Sequence, residues 1–205
     1  MTDAGSTLPR HLYVHVPLCR AKCAYCDFFS LTPDEIAASP DAIVDALVNQ
    51  TRAWAERGLE PAGLDTLYIG GGTPTMLGDG LATLVSALAI WAGVGPDAEI
   101  TIEANPESLS RSLVELLAMA GVTRVSLGVQ SFDDGELALL GRLHDGQRAQ
   151  EAARWVAEAG LELGVDIMCG LPGQPMTSWR ETLVRAVETG AGHISVYPLS
   201  LEGGT

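Results

Sequence analysis

The chain has 205 residues, of which 47% are hydrophobic, and a formal net charge of −14, enough apolar material to bury the core of one sizeable domain. Its 12 basic residues are scattered and include a single lysine, Lys22, so no cationic stripe can follow a phosphate backbone and nucleic acid is not expected as a partner. No apolar segment opens the chain as a signal peptide would, and the greasiest stretch, residues 80–96, is shorter than the roughly 20 residues that cross a bilayer. Four cysteines without a secretion signal point to a reducing compartment, the cytoplasm.

In chain order, residues 1–11 read as a flexible N-terminus and 12–205 as one core domain. A β-branched run at 12–16 predicts the first strand, and Cys19-x3-Cys23-x2-Cys26 follows it. Ser39-Pro40 then opens a helix whose apolar face carries Ile43, Val44, Leu47, Val48 and Trp54, with proline at the first helical position where its missing N–H costs nothing. A strand at 66–69 leads into Gly70-Gly71-Gly72-Thr73-Pro74, and a buried helix spans 81–91. Next come a strand at 99–103 and a helix from Ser110 that stops at Gly121. A strand at 124–129 precedes a helix after Asp145 that stops at Gly160. A strand at 162–168, a helix opened by the capping box Ser178-x-x-Glu181 and stopped at Gly190, and a strand at 193–197 complete the pattern.

Six strands alternating with five helices predict a parallel α/β sheet, either doubly wound or a partial barrel. No G-x-G-x-x-G follows the first strand, which argues against a dinucleotide fold, and a full eight-unit barrel typically takes about 250 residues. The chemically unusual residues all fall at the carboxyl ends of the strands: the cysteine loop, the triple glycine, Glu103 and Asn105, Gln130, Gly170-Leu171-Pro172-Gly173, and Pro198. In parallel βα folds that end holds the active site.

Three thiolates are one short of a closed four-ligand zinc site but suit an iron–sulfur cube with one open iron. His15 as a fourth zinc ligand, and Cys169 as a fourth cluster ligand, are the alternatives; His15 reads more simply as part of a strand and Cys169 as a buried filler. Arg20 and Lys22, inside the loop, are either surface charge or offsets for an anionic cluster. The triple glycine is either a tight turn or a bare loop open to a ligand, and it lacks the G-K-[ST] of a phosphate loop. Glu103 can face solvent or the site. Asp166 interrupts a strand otherwise buried on both faces, so its carboxylate needs a partner. Arg142 is placed to pair with a carboxylate or an anionic ligand group.

The strings YVHVPLCRAKCAYCDF, YIGGGTPT, IEANPE, VSLGVQSF, GRLH, DIMCGLPGQ and YPLSLEGGT together resemble the radical S-adenosylmethionine enzymes, specifically the oxygen-independent coproporphyrinogen III oxidase family and its HemW-type haem-chaperone branch. The resemblance implies a partial (β/α)6 TIM-like barrel, with the last helix and a C-terminal domain expected beyond Thr205. It implies a [4Fe-4S] cluster on Cys19, Cys23 and Cys26 whose open iron binds S-adenosylmethionine. By the same resemblance Tyr13 packs beside the cluster and the Tyr25 backbone meets the adenine. Gly71, Gly72, Thr73 and Glu103 cradle the methionine amino end and Arg142 its carboxylate, while Gln130 and Asp166 take the ribose hydroxyls and Pro198 lines the adenine. No catalytic residue is assigned. The decarboxylating oxidases carry Cys-x-Cys where this chain has Cys26-Asp27-Phe28, which resembles the chaperone branch. The implied partners are haem or a porphyrin and a haem-accepting protein, possible acceptors including membrane-associated ones. The oxidase is the runner-up, and a zinc-stabilised binding domain is the reading of another class.

Overall fold

The computed structural model describes residues 9–61 and 63–200. The expectation of a flexible start falls mostly on residues 1–8, and the end of the YPLSLEGGT string on residues 201–205; both lie outside the described residues.

Six parallel strands form one sheet: β1 (His11–Val16), β2 (Thr66–Gly71), β3 (Glu99–Ala104), β4 (Arg124–Gln130), β5 (Glu162–Cys169) and β6 (His193–Pro198). Their spatial order is the order of the sequence. A doubly wound sheet would reverse direction midway, so the order decides for the partial barrel. Among the described residues β1 and β6 do not pair, and the barrel stays open between them.

The helices are α1 (Pro40–Ala55), α2 (Gly80–Ala92), α3 (Arg111–Met119), α4 (Asp134–Leu139), α5 (Gly146–Glu158) and α6 (Met176–Glu188). The expected caps are present at α1, α3 and α5: the Ser39, Ser110 and Asp145 side chains each accept a backbone N–H of the first turn. Two differences stand out. The short helix α4, capped by Asp133, was not expected. The capping box at Ser178 does not form, because α6 begins earlier, after Pro175, with no side-chain cap; the Ser178 hydroxyl instead donates to Glu136 Oε1 at 2.6 Å.

Alternation along the strands separates two faces. Val14, Val16, Leu67, Ile69, Ile102, Leu127 and Ile167 are buried against the helices, where α2 contributes Leu81, Leu84, Val85 and Leu88. Each fully buried aliphatic side chain contributes about 1.5–3 kcal/mol. The other face carries Tyr13, Tyr68, Glu103, Ser126 and Asp166. The core therefore lies between sheet and helices, and the inner face is left to polar chemistry. Among the described residues no helix is long and apolar enough to cross a membrane.

Candidate functional site: a cysteine-lined cavity at the strand ends

The cysteine loop leaves β1 through a closed neck. Cys19 N donates to Leu31 O at 3.0 Å and Leu31 N to Pro17 O at 2.7 Å, while the Cys26 N to Cys23 O bond folds a turn within the loop. Ala24 N reaches across to Leu140 O at 3.2 Å, docking the loop on the end of α4. Cys19, Cys23 and Cys26 are free, half-buried thiols around one cavity of about 310 Å³. Every residue that the resemblance assigns to the site lines it except Tyr13 and Pro198, and Arg20, Lys22 and Phe28 join them, whereas the Gly170-Leu171-Pro172-Gly173 turn does not. Burial pushes the Cys26 thiol up, with Cys23 and Cys19 adding to the effect; the Phe28 backbone and Lys22 pull the other way.

The bare-loop reading of the triple glycine needs correcting. The Gly71 N–H donates to Glu103 Oε2 at 2.9 Å, the Gly72 N–H to Val16 O at 2.9 Å, and the Thr73 N–H to Leu18 O. A Cβ on Gly71, whose φ is +114°, would lie 2.6 Å from the His15 ring, and one on Gly72 would lie 2.5 Å from Leu18 O. Glycine is required here because the protein's own atoms fill the space. The N–H groups of Gly71, Gly72 and Thr73 are thus all taken by acceptors of the protein itself. Glu103 does not face solvent: Tyr68 OH donates to its Oε1 at 2.7 Å, and burial, followed by this bond, drives the Tyr68 phenol well above its ordinary pKa.

On the opposite wall, Arg142 donates from Nη2 to Asn105 Oδ1 at 2.6 Å and to Gly128 O at 2.7 Å, and from Nη1 to Cys23 Sγ at 3.5 Å. Its buried Nε has no partner among the described residues. Burial opposes its charge, yet Tyr25, Cys23 and Glu107 together hold its pKa above the ordinary value. Asn105 also donates to Thr73 Oγ1 at 2.9 Å, linking the two walls. Tyr25 packs on Leu140, Met168 and Leu171, and its phenol is pushed up to about 12 by burial, which outweighs nearby Arg142.

Asp166 has its expected partner, the Ser126 hydroxyl at 2.8 Å, and still lines the cavity. Gln130 lines it from a left-handed backbone, φ 68°, which no other non-glycine residue among those described adopts. Tyr13 lies apart. It stacks on Tyr68 with ring centroids 6.0 Å apart, and its hydroxyl meets His15 Nδ1 at 3.0 Å. His15 Nε2 meets the Phe29 carbonyl at 3.0 Å, so the imidazole carries its proton there and accepts from Tyr13. Both ring nitrogens are occupied, and His15 is not directed toward the thiols as a fourth ligand. Among the described residues no three His, Cys, Asp or Glu side chains converge closely enough for a single metal ion. Tyr68, Ser126, Glu107 and Met168 are site or supporting residues that the sequence reasoning missed. Strand alternation carried a signal for Tyr68 and Ser126, since each is polar between two buried aliphatic neighbours.

A six-stranded parallel (β/α) partial barrel, with three free cysteines in the loop after its first strand, defines a class of α/β-barrel domain whose candidate site lies at the strand ends. The radical SAM superfamily profile matches residues 13–186, and the chain belongs to that superfamily. It is similar to "Heme chaperone HemW" of Mycobacterium tuberculosis, 38% identical over 96% of this chain and 51% of the relative. It is also similar to "Radical S-adenosyl methionine domain-containing protein 1, mitochondrial" of Bos taurus, 37% identical over 95% of this chain and 44% of the relative. Among solved structures, coproporphyrinogen III oxidase (HemN) from Escherichia coli, described as a radical SAM enzyme, superposes with a TM-score of 0.83 at 26% identity, over 96% of this chain and 46% of that one. The chain spans about half the length of these relatives.

Proposed function

We propose that this domain holds a [4Fe-4S] cluster on Cys19, Cys23 and Cys26 together with S-adenosylmethionine, and that the protein is a cytoplasmic haem chaperone. The observation that carries the cofactor reading is the charge layout of the cavity. Three free thiols share it with a carboxylate, Glu103, on one wall and a guanidinium with a spare buried N–H, Arg142, on another. A zwitterionic amino acid end, with an ammonium and a carboxylate to satisfy, is complementary to that pair. When bound, such a cluster supplies an iron site open to a chelating ligand and one-electron chemistry. The protein's own part is to hold and orient. Glu103, fixed by Tyr68 and Gly71, and the loop of Gly71, Gly72 and Thr73 face the ammonium; Arg142 faces the carboxylate; Asp166 and Gln130 hydrogen-bond the ribose hydroxyls. Tyr25 borders the adenine through its backbone. Tyr13 and Pro198 remain outside the cavity and act, in this reading, from behind it.

The haem reading draws on the relatives' names and on the rim. Phe28, 69% exposed, stands at the cavity mouth with Leu143 and Tyr197, an apolar edge suited to a planar hydrophobic ligand. Phe28 also offers neither a thiol nor a metal ligand where the decarboxylases have cysteine. A haem-accepting protein, soluble or at a membrane, is the partner that function requires. The test uses the natural full-length protein, reconstituted anaerobically and verified for iron. It is expected to bind haem stoichiometrically and to release no carbon dioxide from coproporphyrinogen III. Sustained conversion of that substrate to protoporphyrinogen IX would replace the chaperone with the oxidase, and colourless protein with stoichiometric zinc would replace both with a zinc-stabilised binding domain.

A further inference from the structure

The His144 side chain is fully buried, and both of its ring nitrogens face oxygen. Nδ1 lies 3.0 Å from Glu107 Oε2 and Nε2 lies 3.1 Å from the Val129 carbonyl. Two residues earlier in the same GRLH segment, Arg142 Nη2 donates to the Gly128 carbonyl at 2.7 Å. Two successive carbonyls at the end of β4 are thus met by two side chains of one segment. They sit where the sheet ladder breaks: Gly128 pairs with Asp166 but Gln130 with Ile167, so Val129 is one residue too many. A bulge of this kind leaves backbone groups without ladder partners and re-aims the residue beside it.

That residue is Gln130. The Ser131 N–H bonds the Val129 carbonyl at 2.9 Å, closing a three-residue turn centred on Gln130 at φ 68°. The left-handed form of this turn is rare and strained for a residue with a side chain, and persists only where the surroundings over-determine it. The surroundings here are the two donors from GRLH. The Val129 carbonyl receives the Ser131 N–H from one side and the imidazole from the other.

We propose that His144 is a positioning residue for the ligand site, donating to the Val129 carbonyl so that, with Arg142 on the Gly128 carbonyl, it clamps the β4 bulge and turns Gln130 into the cavity. Glu107 orients the ring by accepting from Nδ1; with an acceptor oxygen at each nitrogen the ring donates from both, as an imidazolium paired with that carboxylate. The site's ligand enters only through Gln130, so the proposal rests on the reading of Gln130 as a ribose contact.

The test compares His144→Phe, which fills the space without a donor, with His144→Gln, which can present an N–H to Val129, and with His144→Asn, whose shorter amide reaches only toward Glu107. Each is measured in the cluster-reconstituted chain for S-adenosylmethionine affinity and for hydrogen exchange of the 128–131 segment. His144→Phe and His144→Asn are expected to keep wild-type iron, to weaken binding about fivefold, as one lost hydrogen bond implies, and to speed exchange at the Ser131 amide. His144→Gln is expected to restore most of both. In a Gln130→Ala background His144→Phe should weaken binding no further, because coupled groups are not additive. Full additivity, or equal behaviour of the Gln and Asn variants, overturns the clamp. Should Gln130→Ala leave affinity intact, the ribose reading falls while the exchange data still decide the clamp: faster exchange in His144→Phe supports it and unchanged exchange overturns it. If the Phe variant does not fold, the Gln and Asn pair carries the comparison alone.

Discussion

Gly71→Ala probes the packing behind the site. The new methyl would occupy a backbone at φ +114° and meet the His15 ring at 2.6 Å. That ring cannot swing aside freely, because it is held by Tyr13 OH and the Phe29 carbonyl, each at 3.0 Å. Backbone strain at positive φ costs about 1–2 kcal/mol, and displacing His15 forfeits two hydrogen bonds worth about 1 kcal/mol each. The sum, about 3–4 kcal/mol, corresponds to a fall in Tm of about 6–16 °C for a chain of this size. Thermal denaturation of the metal-free chain, followed by circular dichroism, measures it. The decisive variant is His15→Ala. With the ring gone, Gly71→Ala should cost only its backbone strain, so the double mutant should lie about 2 kcal/mol above the additive expectation. Strict additivity would refute the reasoning, because the glycine would then be needed for its conformation alone.

Three further outcomes are expected. Cys23→Ala should abolish the brown colour and iron content of anaerobically reconstituted protein, as two remaining thiolates cannot hold a cube; retention of about four irons per chain would exclude Cys23 as a ligand. Asp166→Ala should keep its iron but bind S-adenosylmethionine about tenfold more weakly in equilibrium dialysis, the loss of one charge-assisted hydrogen bond, with unchanged affinity making Asp166 structural. The Glu107 pKa is lowered: burial raises it, but the His144 bond and nearby Arg142 outweigh that. Its stabilising contribution is therefore complete above the ordinary carboxylate value and is lost as pH falls through the depressed folded value. Glu107→Gln should lose less Tm than the wild type on acidification from pH 6 to pH 3, and parallel losses would contradict the assignment.

Where the sequence was legible, the residues encode backbone geometry by themselves. Ser39-Pro40 and Asp145 announce helix starts, β-branched runs announce strands, and the cysteine spacing marks its own loop. What was illegible depends on partners far away in the chain. Ser178 followed by Glu181 has the form of a capping box, yet Ser178 serves Glu136, 42 residues distant. That buried carboxylate also accepts from Ser131 at 2.6 Å and Gln174 at 3.0 Å, and it makes α4 worth forming although six residues are too few to stand alone as a helix. Likewise the triple glycine predicts a special backbone but not what crowds it; the pressure of His15 and Leu18 is visible only once β1 and β2 lie side by side. That Asp166 needs a partner is legible because burial of a carboxylate is a local inference, whereas the choice of Ser126 is a matter of sheet register.

The order of the strands has a consequence for how the domain assembles. Each strand bonds only to its neighbours in the chain, so the sheet can grow by successive closures, each spanning far fewer residues than the link from the cysteine loop to Arg142. The cysteine loop cannot close that way. Cys23 meets Arg142 across 119 residues, and Ala24 leans on Leu140 at the end of a helix that exists only after β4 is in place. The thiols are therefore gathered into their cavity late, when four strands have already paired, and a nascent chain halted before Leu140 would carry its cysteines exposed. Iron uptake by such arrested chains, compared with ones extended past His144, would time the closure of the site against the growth of the sheet.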